Sequence, residues 1–144
     1  MIYTRPTYKP QYENFIGGEW VAPTSGEYFD NISPVDGELL TRIPRSNEAD
    51  VEAAILAADK AFQSFKHTSV LERSNLLNKM ADAIEANLEK LAIAETLDNG
   101  KTIRETLAAD VPLVVDHFRY FASVIRAESG TVSDLDENTI SQEI

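Results

Sequence analysis

From residue 46 onward the apolar positions recur with helical spacing. Val51, Ala54, Ile55, Ala58, Phe62 and Phe65 fall three, one, three, four and three residues apart, which puts them on one stripe and predicts a helix over 47–65. Ser46 or Asn47 can cap its N-terminus, and Asp50 lies in the first turn, where the helix dipole favours a negative charge. Ser69-Val70-Leu71-Glu72 then has the form of a capping box. The stripe Leu76, Leu77, Met80, Ala81, Ile84, Leu88 and Leu91 predicts one long second helix running towards Leu97. Gly100 supplies its stop, because glycine takes the left-handed conformation that closes a helix end. A short helical stretch over 102–109 follows, and Asp110 with Pro112 marks a fresh start or a kink. Val114, Phe118, Phe121 and Ile125 carry the third main helix to Gly130.

Ahead of the helices the pattern is that of short strands. Phe15-Ile16, Gly17-Gly18 and Glu19-Trp20-Val21 predict a hairpin around the glycine pair. Residues 28–32 and 38–43 predict two more strands separated by the turn SPVDG. The first 14 residues carry Pro6 and Pro10, show no period and read as an extended or mobile arm. Beyond Gly130, TVSDLDEN reads as an acidic turn or ragged strand, and residues 139–144 begin an alternating strand. With no partner in sight, that last strand makes the chain look interrupted.

Length and charge then narrow the function. The 144 residues suit one domain, and the 43% hydrophobic content is that of a globular protein. A net charge of -11 argues against nucleic acid, whose phosphates demand Lys and Arg, and against an anionic membrane surface. The N-terminal stretch lacks the apolar core of a signal peptide, and no run approaches the roughly 20 apolar residues of a membrane span, so a cytoplasmic, soluble protein is expected. There is no cysteine, which excludes disulfides, thiolate metal sites and a cysteine nucleophile within the chain.

Few residues invite chemistry. His67 and His117 stand fifty residues apart with no cysteine near them, a poor basis for a transition-metal site. Trp20, beside the expected hairpin, reads as a packing residue. There is no GxGxxG or P-loop pattern. The stretch ETLDNGK, residues 95–101, gathers two acids, an amide, a glycine and a lysine at the end of a helix, where such residues also serve simply as caps.

Taken together, IGGEWV, NISPVDGELL, ETLDNGK and RETLAADVPLVVDHFRYFA resemble, in order and with familiar spacing from about Tyr12 to Ile144, the N-terminal part of the NAD(P)-dependent aldehyde dehydrogenase superfamily. YENFIGGEWVAP, HTSVLERSNLL and AADVPLVVDHFRYFAS look most like the bacterial acetaldehyde dehydrogenase branch, which acts on short aliphatic aldehydes. The resemblance implies an α/β, Rossmann-type family fold. Residues 1–14 would be an arm, 15–130 the N-terminal part of the dinucleotide-binding domain, and 131–144 the start of a strand region used in oligomerisation. It also implies NAD or NADP as cofactor, an aldehyde as substrate and a homo-oligomer, dimer or tetramer. The family's nucleophilic cysteine, general-base glutamate and oxyanion-hole asparagine would all lie C-terminal to Ile144, so the chain alone is expected to be inactive.

Carried over position by position, the resemblance implies a Na or K ion held by Asp98 and the carbonyl of Ile32, with Asn31 beside them; hard cations take oxygen ligands. It further implies that Ala109 and Leu113 form part of the wall of an aldehyde entrance tunnel, a steric role. Asp98 as a plain helix-end residue, and Ala109 and Leu113 as plain core, remain open at this point. So does a different class of function, an independent helical interaction module whose exposed stripes and cut strand recruit a partner.

Overall fold

Asn47 opens the first helix, α1 (Glu48–Phe65), through a reciprocal capping box. Its side-chain oxygen accepts from the N–H groups of Ala49 and Asp50, and the Asp50 carboxylate accepts from the Asn47 N–H at 2.9 Å. The other Asp50 oxygen accepts from both the N–H and the hydroxyl of Thr24, at 2.7 and 2.6 Å, which ties the helix start to the preceding loop. The second helix, α2 (Val70–Ala86), opens with the expected box of Ser69 and Glu72. The structure, a computed structural model, describes residues 3–143.

The long second helix expected towards Leu97 is instead two, α2 and α3 (Leu88–Asn99). Asn87 breaks it, with φ -117° and ψ 17° and its side-chain amide donating to the Ala83 carbonyl at 2.9 Å. An apolar stripe continues through such a break, so periodicity alone does not reveal it. Gly100 ends α3 at φ 79° as expected. The next stretch is α4 (Ile103–Glu105), a π-helical turn over Thr106–Asp110 and α5 (Val111–Ala127), with Pro112 in the first turn of α5. Proline is tolerated there because its missing N–H would have had no intrahelical partner.

The strands form antiparallel pairs. β1 (Asn14–Ile16) and β2 (Glu19–Val21) join through Gly17 and Gly18, both at positive φ, as a two-residue turn between right-twisted strands requires. β3 (Tyr28–Ile32) pairs with β4 (Leu39–Pro44), with a register shift at Asn31 and Ile32. The N-terminal arm is extended along β4. Gln11 bridges Arg42 in parallel, the Tyr12 N–H donates to the Arg42 carbonyl, the Arg42 N–H donates to the Pro10 carbonyl, and Arg5 pairs with Asp36 and Glu38. Of the two readings of the residues beyond Gly130, acidic turn or ragged strand, the structure has the strand, β5 (Val132–Asp136), which pairs with β6 (Thr139–Gln142). The last expected strand thus has a partner in its own chain; Ile144, its final residue, lies outside the described residues.

Packing follows two centres. α2 and α5 meet through Ala81 and Ala122, both fully buried, so the backbones approach closely, and the Ser74 hydroxyl donates to the Ala122 carbonyl at 2.6 Å. Arg119 on α5 closes the contact by donating to Asp82 and Glu85 of α2. Leu40 of β4 with Ile93 and Leu97 of α3 forms the second centre, covered by Tyr3 and Tyr8 of the arm. The α1 stripe takes no part: Val51, Ile55, Phe62 and Phe65 stay 45–56% exposed. The helix has the predicted bounds within a residue, and among the described residues the strand it packs against most is β1. No helix among the described residues is long and apolar enough to cross a membrane.

Candidate functional site at the end of helix α3

The end of α3 is fastened to the β3–β4 turn at three neighbouring points. The last turn of a helix leaves carbonyls without intrahelical partners, and the wholly buried Ser33 donates its hydroxyl to one of them, that of Leu97, at 2.7 Å. Next to it, the Asn31 side-chain amide donates to a carboxylate oxygen of Asp98 at 2.6 Å. Finally Gly100 comes so close to Pro34 that a β-carbon on it would stand 3.1 Å from the proline Cγ. Glycine is therefore required twice at this position, by its positive φ and by the proline beneath it.

Beside this junction opens a cleft of about 540 Å³ between the arm, β3–β4 and helices α2, α3 and α5. Leu40, Ile84 and Leu91 are among its apolar lining, and Tyr8, Asn31 and Asp98 supply polar groups. The Tyr8 phenol oxygen is shut off from solvent and has no hydrogen-bond partner among the described residues. Its burial, with a contribution from the Asp98 charge and against the opposing effect of Arg5, holds its pKa above the ordinary tyrosine value, so it stays neutral.

On the far side, the Asn99 side-chain oxygen accepts from the Lys101 N–H at 2.8 Å, and Lys101 Nζ meets Asp110 at 2.6 Å. That bond to Asp110 is the main cause of the raised lysine pKa. Asp110 closes the π-helical turn, and Thr106 within it is wholly buried, its hydroxyl 3.0 Å from that of Thr96 on α3. An ion pair and a hydroxyl pair thus hold the π-helical turn against α3.

Of the residues singled out in the sequence, the fold brings Asn31, Ile32 and Asp98 to one place and leaves Ala109 and Leu113 elsewhere. Asn31 aims an N–H, not an oxygen, at Asp98, so in this arrangement it orients the carboxylate. One Asp98 oxygen takes no bond from Asn31, which suits a hard cation but falls short of the six or so oxygens that such an ion gathers. No group of three or more His, Asp or Glu poised for a metal occurs among the described residues. Ala109 sits in the π-helical turn and Leu113 in the first turn of α5; both are exposed, and neither lines the cleft. Tyr8, Ser33 and Thr106 are the residues that the sequence did not flag, because each matters through a partner more than ten residues away or through burial.

Charge, amide and phenol are brought together here, an arrangement that can bind and position. Residues 20–143 match the model of the aldehyde dehydrogenase family. The chain belongs to that family.

Among curated members of the aldehyde dehydrogenase family, the chain is 64% identical to a long-chain-aldehyde dehydrogenase of an Acinetobacter species and 57% identical to acetaldehyde dehydrogenase 2 of Cupriavidus necator. Each match covers 92% of this chain and 26% of the relative. A solved structure of an indole-3-acetaldehyde dehydrogenase mutant of P. syringae, in complex with NAD+ and IAA, superposes with a TM-score of 0.88 at 33% identity. That superposition covers 94% of this chain and 28% of the other. The chain therefore spans about a quarter of the length of the aldehyde dehydrogenases it matches.

Proposed function

We propose that these residues are the N-terminal part of an NAD(P)-dependent aldehyde dehydrogenase that oxidises short aliphatic aldehydes to carboxylic acids. The observation that carries the reading is the 64% identity sustained over 92% of the chain to a named aldehyde dehydrogenase. In the reaction the aldehyde and water yield the acid, and the cofactor takes a hydride. The chain has no cysteine, so the attacking thiolate comes from polypeptide beyond these residues, as do the general base and most of the cofactor site. What this chain supplies is positioning. Residues 15–130 form part of the dinucleotide-binding domain, 131–144 begin the oligomerisation strands of a cytoplasmic homo-oligomer, and Ala109 and Leu113 narrow the aldehyde entrance. Asp98, oriented by Asn31, and the Ile32 carbonyl hold a Na or K ion together with oxygens from outside the chain.

The test compares the 144-residue chain with the polypeptide extended through its reading frame to the length of the relatives. NADH formation from acetaldehyde is expected from the extended protein and absent from the chain alone. Substrates of increasing chain length then distinguish the two aldehyde classes that the relatives' names carry. Turnover by the pure 144-residue chain, or an extended protein that contains no cysteine, would sink the proposal. An interaction module without enzymatic activity is favoured by no observation.

A further inference from the structure

We propose that the Asn99-Gly100 peptide is a spontaneous modification site, where Asn99 converts to aspartate and isoaspartate, and that the cap of helix α3 sets the rate. Its motif follows Asp98 directly, at two residues to which the enzymatic reading gives no chemical role. The chain contains one Asn-Gly pair, and it is this one. Gly100 brings no side chain to hinder attack by its own nitrogen, and a bulkier residue there would be strained, given its φ of 79° and the proline 3.1 Å from where a β-carbon would stand. Asn99 is exposed, and among the described residues its amide nitrogen is engaged only by a long 3.5 Å bond to Glu95.

The chemistry needs only water. The Gly100 nitrogen gives its proton to solvent and bonds to the Asn99 side-chain carbonyl carbon. The bond from that carbon to the amide nitrogen breaks, and the nitrogen leaves as ammonia, closing a five-membered imide. Water then opens the imide at either carbonyl. Opening one side leaves aspartate, and opening the other leaves isoaspartate, with the main chain routed through the former side chain. The sum is amide plus water giving carboxylate plus ammonium.

The fold holds this reaction back. The attacking N–H of Gly100 is engaged by the Thr96 carbonyl at 2.9 Å, and Asn99 is the last residue of α3, so ring closure demands that its ψ leave the helical range. Both conditions are met only when the last turn frays, an opening governed by local stability. The bonds from Ser33 to the Leu97 carbonyl and from Asn31 to Asp98 oppose that fraying. Once formed, the new carboxylate stands at the negative end of the helix dipole between Glu95 and Asp98, so conversion loosens the junction further.

The experiment incubates the protein at neutral pH and follows the exchange of NH for oxygen at residue 99 by peptide mass mapping, beside a synthetic peptide of residues 95–101. The folded protein should convert roughly tenfold more slowly than the peptide, and in urea it should reach the peptide's rate. S33A and N31A should each convert several-fold faster than the parent under native conditions, and N99Q should not convert at that position. Equal rates in protein and peptide would overturn the proposal, as would unchanged rates in both cap variants or conversion at another asparagine in preference to Asn99.

Discussion

The Asn31 amide nitrogen lies 2.6 Å from a carboxylate oxygen of Asp98, although 67 positions separate the two residues. A bond to a charged acceptor is stronger than a neutral one, but water competes for this exposed pair. N31A should therefore lower unfolding free energy by about 1 kcal/mol in urea titration. For the proposed cation, replacing choline chloride by sodium or potassium chloride at constant ionic strength should raise the Tm of the parent protein and leave D98N unmoved. An identical response in both would remove Asp98 from consideration as a ligand.

Gly100 tests the junction from the other side. G100A forces a side chain into the left-handed region, a penalty of about 1–2 kcal/mol, and presses its methyl on Pro34. Urea unfolding should report a loss of that size or more. The double variant with P34A should recover only the part due to contact, since the backbone penalty remains.

Thr106 is buried with its hydroxyl shared between Thr96 and the Ile103 carbonyl. T106V keeps the shape and deletes the hydroxyl, which strands the Thr96 hydroxyl in a poorly solvated place. A loss of about 1–3 kcal/mol is expected, with faster hydrogen exchange at amides 103–110. T96V combined with T106V should be less damaging than the sum of the two single changes.

Acid should weaken the fold through a few carboxylates. The pKa of Asp50 is lowered chiefly by the Thr24 hydroxyl and then by the Asn47 and Thr24 N–H groups; that of Glu72 is lowered by the Ser69 N–H and hydroxyl; that of Asp36 by the Glu38 N–H first and by Arg5. A carboxylate whose pKa is depressed on folding contributes stability above its unfolded value, near 4, and loses it as pH falls through the folded value. Stability should thus be flat from neutral pH down to about 5 and fall below about 4. D50N should flatten that fall. A fall beginning near pH 6 would contradict this assignment to the carboxylates.

Local chemistry written in a few adjacent residues was readable from the sequence. An N-cap at Asn47, the capping box of Ser69 with Glu72, the Gly17-Gly18 turn and the Gly100 stop each involve residues within one turn of chain, so residue type suffices to predict them. Family membership was readable for a related reason, since it rests on the order of such words along the chain. Tertiary structure decided the rest. Periodicity cannot register the break at Asn87 or the π-helical turn at Thr106–Asp110, because an apolar stripe survives both. It marks an apolar face without naming a cover, and only the fold shows that the α1 stripe is exposed. Asn31 meets Asp98, Ser33 caps α3 and Tyr8 lines the cleft only because β3–β4 and the arm fold back over the end of α3. No spacing encodes that meeting, for it depends on long-range packing against Leu40, Ile93 and Leu97.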